Sequence, residues 1–150
     1  YVKVLLKQSN GQVQAFKTAV KDGELNPQYN ESFRFSITPA MRTAGELEAT
    51  LAFQVWDHNT VSDELMGQVA LPLSRCEMSG GGGTVRLQGE KFRAGDYGTL
   101  TFISKVEASP SGGSTQCRNG SWQGPSLDVD IGRGGGSGGG GGGSGAHGGF

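Results

Sequence analysis

The sequence predicts an all-β fold, an antiparallel sandwich. Three observations carry that prediction. Apolar and polar residues alternate at period two in one short run after another. The runs are bounded by Asn-Gly, Asp-Gly, Asn-Pro and glycine clusters. No window sustains a 3.6-residue apolar period between helix caps. About seven short strands separated by turn signals fit two antiparallel sheets packed face to face.

The elements follow in order. Tyr1-Val2-Lys3-Val4-Leu5-Leu6-Lys7 places Val2, Val4 and Leu6 on one face and the lysines on the other. Asn10-Gly11 supplies a tight hairpin turn. Val13 to Val20 returns with Phe16, Thr18 and Val20 on one face, and Asp22-Gly23 and Asn26-Pro27 punctuate the loop after it. Ser32 to Ile37 turns Phe33, Phe35 and Ile37 inward, and Pro39 ends it. Leu47 to Trp56 is the longest run, with Leu47, Ala49, Leu51, Phe53 and Val55 on one face. A polar loop, Asp57 to Asp63, precedes Leu65 to Leu73, where Gly67 marks a bulge or a close backbone approach. Gly80 to Gly83 reads as a flexible insertion, Thr84 to Leu87 as a short strand, and Tyr97 to Val106 as the last.

Composition divides the chain. Residues 1–106 hold 43 of the 51 hydrophobic residues, whereas residues 107–150 hold 8, with 17 of the 28 glycines. The first part is long enough for one core and too short for two. The second reads as a Gly/Ser-rich disordered tail, unable to bury enough surface to offset its ordering entropy. Trp122 and Phe150 are its sticky points.

Charge and chemistry exclude several functions. Residues 1–106 carry 11 basic and 11 acidic side chains, a balance that argues against a nucleic-acid partner. No apolar run reaches the length needed to span a bilayer, and no secretory leader is visible. Cys76 and Cys117 have neither zinc spacing nor the numbers for a disulfide framework. The only histidines are His58 and His147, and no nucleophile elbow, phosphate loop or His-x-x-x-His pair occurs. The expectation is a binding module, not an enzyme. Asp57, Asn59, Ser62, Asp63 and Glu64 gather oxygen donors in the loop between two strands, the ligand type that calcium takes.

Four segments in this order resemble a C2 domain. They are Tyr1-Val2-Lys3-Val4; Asn26-Pro27 with Tyr29-Asn30-Glu31, Phe33 and Phe35; Leu51-x-Phe53-x-Val55-Trp56-Asp57; and Leu65-Met66-Gly67-Gln68-Val69 running to Leu73. Gly98-x-Leu100-x-Phe102 closes the set, so the resemblance covers residues 1–106. Read by itself, the Asn30-Glu31 pair is structural, bonding local backbone amides ahead of a strand.

The resemblance implies an eight-stranded sandwich, here lacking its first strand or strands, that binds calcium and anionic phospholipid at one end. A chain without those strands would expose a sheet edge and be marginally stable. The resemblance also implies candidate metal ligands at Asp57, Asn59, Asp63 and Glu64, and a membrane-entering tip at Thr60 and Val61. Asn59 stands where calcium-binding members carry an aspartate, and Glu64 or Asp63 where another is usual. The acidic loop expected ahead of Tyr1 is absent from the sequence. The expectation is therefore calcium in the intact protein and weak or no binding by this chain. A second, calcium-independent lipid contact would use Lys3, Lys7, Lys17 and Lys21 on the first two strands. The function implied is a peripheral, cytoplasmic membrane-targeting module. The alternatives are a calcium-independent protein-interaction domain and a regulatory fragment of a larger enzyme.

Overall fold

The computed structural model describes residues 1–43, 46–74, 83–89, 98–107, 117–118, 121–122 and 126–132. The strands are β1 (Val2–Gln8), β2 (Val13–Lys17), β3 (Glu31–Ser36), β4 (Arg42–Thr43), β5 (Glu46–Leu47), β6 (Ala49–Asp57) and β7 (Glu64–Pro72). They continue as β8 (Gly83–Arg86), β9 (Thr99–Glu107), β10 (Cys117–Arg118), β11 (Ser121–Trp122) and β12 (Ser126–Ile131). The pairs β4–β5 and β10–β11 are two-residue ladders. The other eight strands form two four-stranded antiparallel sheets, ordered β2-β1-β6-β7 and β3-β12-β9-β8.

The expected sandwich is the fold. Val2, Val4, Leu6, Leu51 and Phe53 of the first sheet share one core with Phe35, Leu100, Phe102, Leu127, Val129 and Ile131 of the second. The Phe53 and Phe102 rings lie 4.6 Å apart across the interface. Each inward set is the period-two face of its strand, so alternation alone decides which side chains leave water.

One boundary in the sequence reading is corrected. Residues 126–131 fall in the segment expected to be a disordered tail, yet they form β12, which pairs with β3 on one side and β9 on the other. Leu127, Val129 and Ile131 are fully buried. The physical reason lies in Ser126-Leu127-Asp128-Val129-Asp130-Ile131 itself, a period-two strand whose signal is diluted by the glycine around it. Its outward side chains are fastened too. Arg34 donates to Asp128 through Nε at 2.7 Å and Nη2 at 2.9 Å, and Ser32 Oγ donates to Asp130. Cys76, Tyr97, Gly80–Gly82, His147 and Phe150, together with residues 133–150 as a whole, lie outside the described residues.

Both open sides of the sandwich are tied. On one, Phe16 of β2 sits 5.3 Å from Phe33 and 5.0 Å from Phe35 of β3. Beside it the Gln14 amide donates to the Ser36 carbonyl at 2.7 Å and accepts from the Ser36 N–H at 2.9 Å, imitating a strand partner. On the other side Gln68 of β7 and Gln88, just past β8, exchange backbone hydrogen bonds of 2.7 and 2.8 Å.

The turn chemistry behaves as read, with two refinements. Gly11 adopts a φ of 87°, but Gln8 and Gln12 close the hairpin around three residues, Ser9 to Gly11. Glu31 accepts from the Ala19 N–H at 2.8 Å, a backbone bond across the loop twelve residues back rather than the local one expected. Asn30 takes a φ of 52°, a conformation that asparagine tolerates better than most residues. The irregularity at Gly67 is a bulge: Val55 faces Gly67 and Trp56 faces Leu65, leaving Met66 extra.

Candidate functional site

The site lies at the end of the sandwich where β1 begins. The Trp56 N–H donates to the Tyr1 carbonyl at 2.8 Å, and the Thr18 N–H donates to the Val2 carbonyl at 2.9 Å. The start of β1, the end of β2 and the end of β6 are therefore neighbours. The loop of residues 58–63 and the loop of residues 18–30 both leave from this end.

The outer face of the first sheet carries a basic and aromatic cluster here. Lys3 and Lys17 stand directly opposite one another across β1 and β2. Like charges in that position repel, and neither lysine forms an ion pair with a described residue. Aromatic rings hold them instead. The Lys17 ammonium lies 3.8 Å from the Tyr1 ring centre, and the Lys3 ammonium 4.4 Å from that of Trp56. The Tyr1 and Trp56 rings are stacked, 6.4 Å apart. A quadrupole face attracts a cation without neutralising it. The two positive charges therefore sit together on a preformed surface without a direct ion pair to a described residue, and Asp63 attracts Lys17 from farther off.

The four lysines singled out in the sequence do not make one patch. Lys3 and Lys17 are brought together. Lys7 shares their face but sits four residues along β1, opposite Val13, about 13 Å away at strand rise. Lys21 is exposed in the loop after β2.

The acidic loop is built around Asp63. Tyr1 Oη donates to its Oδ2 at 2.6 Å, and His58 Nδ1 lies 2.8 Å from its Oδ1. These two bonds, Tyr1 foremost, hold the Asp63 carboxyl below its ordinary range. The same bond to Asp63 is the main cause that pushes the Tyr1 phenol from 10.0 up to about 12. Asn59 Nδ2 reaches Asp57 Oδ2 at 3.5 Å. Glu64 opens β7 opposite Asp57. Thr60 and Val61 are exposed at the tip, Val61 by 97%.

This donor set does not fit a calcium ion. Among the described residues no three side chains of His, Cys, Asp or Glu come together as a metal group. Both Asp63 oxygens are engaged by Tyr1 and His58, and calcium takes six to eight oxygens. In this structure Asp57, Asn59, Asp63 and Glu64 are a hydrogen-bonded turn fastened to the sheet. The link between Tyr1 and Asp63 is invisible in the sequence, where 62 positions separate them.

The fastening has a spectroscopic consequence. In alkaline titration followed by phenolate absorbance, one tyrosine is expected to ionise near pH 12, where the folded Tyr1 titrates. Because the folded value is raised, the stabilisation from the Tyr1 bond is present below pH 10 and lost as pH rises through about 12. Asp63 has the opposite sign: its folded value is lowered, so its contribution is present above the carboxylate range and lost on acidification. Asp63→Ala should return one phenol toward the ordinary range. Identical titration curves for parent and variant would refute the assignment.

The comparisons agree with this geometry. The family model of the C2 domain matches residues 1–87, which run from the start of β1 through β8. No solved structure matches the chain. Among the described residues no helix is long and apolar enough to cross a membrane. C2 domains serve generally as membrane-targeting or signalling modules. With more than half its length under that match, and with two four-stranded antiparallel sheets around one core, this chain belongs to the C2 domain family.

Proposed function

We propose that the chain is a peripheral membrane-targeting module that binds anionic phospholipid on the outer face of its first sheet. It acts as a binding module rather than an enzyme, on the cytoplasmic side of a membrane. The observation that carries this reading is the facing pair Lys3 and Lys17, held by Tyr1 and Trp56 without a carboxylate partner. Two like charges fixed on adjacent strands are a local cost to the fold. A phosphate headgroup between them removes that cost and gains charge-assisted hydrogen bonds. The lysine pair is separate from residues 57–64, so this contact is expected to need no metal from that loop.

Binding to vesicles of phosphatidylcholine and phosphatidylserine in equal parts tests the proposal. A basic residue near an anionic leaflet contributes about 1 kcal/mol. Lys3→Gln with Lys17→Gln is therefore expected to weaken binding about thirtyfold at low salt. Lys7→Gln should do much less, because Lys7 lies outside the cluster. Chelator should leave binding unchanged. The proposal fails if the parent chain does not bind these vesicles, or if the double variant binds as the parent does.

A further inference from the structure

We propose that the outer edge of β2 receives an extended peptide from another protein as an added antiparallel strand, with a carboxamide side chain of that peptide seated in the cavity beside the edge. This is a second binding surface, and it does not rest on the lipid reading. The backbone of β2 sets it up. The Gln8 N–H donates to the Gln12 carbonyl at 2.8 Å, and the Thr18 N–H to the Val2 carbonyl at 2.9 Å. By alternation Gln12, Gln14, Phe16 and Thr18 turn their backbone groups toward β1, so those of Val13, Ala15 and Lys17 point outward. No described strand pairs with that edge.

The other three outer edges of the sandwich are guarded. Gln68 of β7 and Gln88, just past β8, exchange backbone hydrogen bonds and tie both edges on that side. β7 also carries the bulge at Met66 and ends on Pro72. On β3, both backbone groups of Ser36 are taken by the Gln14 side chain. Bulges, prolines and covering groups keep an edge from accepting a further strand. β2 has neither a proline nor a bulge in its pairing with β1, and four of its five residues are exposed.

The cavity names the partner's chemistry. It measures about 450 Å³ and is lined by Gln8, Gln12, Val13, Gln14, Ser36 and Thr38. Val13 belongs both to it and to the open edge, so one strand can reach both. Gln8 is only 8% exposed, and its Oε1 is buried without a hydrogen-bond partner, as is Thr38 Oγ1. Unpaired buried acceptors cost the fold free energy, which a ligand's donors recover. No lining residue is charged, so the group that fits is neutral. A carboxamide brings two N–H donors and no charge. In an antiparallel strand the residue opposite Gln14 points to the cavity side, and so does the one opposite Phe16, which is 39% exposed. The fitting peptide therefore reads apolar residue, any residue, then asparagine or glutamine.

The end-capped peptide Ser-Thr-Val-Thr-Gln-Thr-Ser is the probe, with its valine opposite Phe16 and its glutamine opposite Gln14. Adding it should slow hydrogen exchange at the amides of Val13, Ala15 and Lys17. N-methylation of its central threonine, whose N–H faces β2, should weaken binding about tenfold. N-methylation of its valine, whose N–H faces away, should not. Ala15→Pro should also weaken binding about tenfold and leave the thermal melt close to the parent's, because that N–H is unused within the fold. Gln8→Leu should weaken binding about fivefold while keeping or raising the melting temperature, since it removes an unpaired buried acceptor. The Lys3→Gln/Lys17→Gln variant should bind the peptide as the parent does, which separates this surface from the lipid contact. Equal binding of the two methylated peptides, or no added protection at Val13 and Ala15, overturns the proposal. So does sedimentation that shows a dimer dissolved by Ala15→Pro, because a second copy of the chain would then occupy the edge.

Discussion

A chain ending at Glu107 is expected not to fold cooperatively. That cut keeps every strand of the first sheet but removes β12 from the middle of the second. Six register pairs with β3 and six with β9 disappear together. Leu127, Val129 and Ile131 go with them, all fully buried. Burial of each such side chain contributes about 1.5–3 kcal/mol, so the three account for about 5–9 kcal/mol by side chains alone. A whole domain is stable by only about 5–15 kcal/mol. The cut also leaves β3 and β9 as facing edges with open backbone groups, which invites aggregation. Circular dichroism across a thermal ramp decides it. A sharp, reversible melt for the shortened chain, close to the parent's, would show that β12 is dispensable.

The second large effect is expected from Gly132→Ala. Gly132 follows β12 directly, with a φ of 79°. A Cβ there would lie 2.8 Å from the Tyr29 nitrogen and 3.2 Å from that of Asn30. Both neighbours are backbone and cannot swing aside. A side chain in the left-handed region costs about 1–2 kcal/mol, and the close approach adds to it. The expected loss is about 3 kcal/mol, or about 10 °C in melting temperature. The Gly23→Ala variant is the control, because Gly23 has a similar φ of 70° and open space around its Cβ position. Equal destabilisation in the two would mean that the contact with the Tyr29–Asn30 backbone carries no energy.

Much of this fold is written in period two. The strands β1, β3, β6 and β7 lie close to where alternation places them, because each buries one face in a core and exposes the other. The segment 126–131 carries the same pattern as cleanly as 32–37 does. It is lost when residues 107–150 are judged as one composition, since glycine on either side lowers the average without touching the strand. Reading that window alone would have found it.

The site was legible in its parts and not in their assembly. The side chains of Lys3, Lys17, Trp56 and Asp63 lie in segments that the sequence marks. Which of them meet depends on register. A two-residue Asn10-Gly11 turn would set Lys3 against Thr18. The three-residue connection sets it against Lys17, and the facing lysine pair follows from that one-residue difference. The capture of Asp63 by Tyr1 depends on the path of a loop between two strands, which local pattern does not encode. The calcium expectation came from the family resemblance, and the residue types in that loop do not say which way a carboxylate points.

The position of β12 also sets a schedule for the chain's birth. Glu31 pairs with Ile131, so 100 residues of synthesis separate the partners. At about 5–20 residues per second, β3 waits roughly 5–20 s for its neighbour. During that interval the first sheet can assemble, since its four strands are complete by Pro72. The inner face of that sheet, with Phe53 at its centre, then has only an unfinished layer to cover it. A nascent chain of this protein is thus exposed to misassociation for seconds, and a chaperone that shields apolar sheet faces should raise its yield.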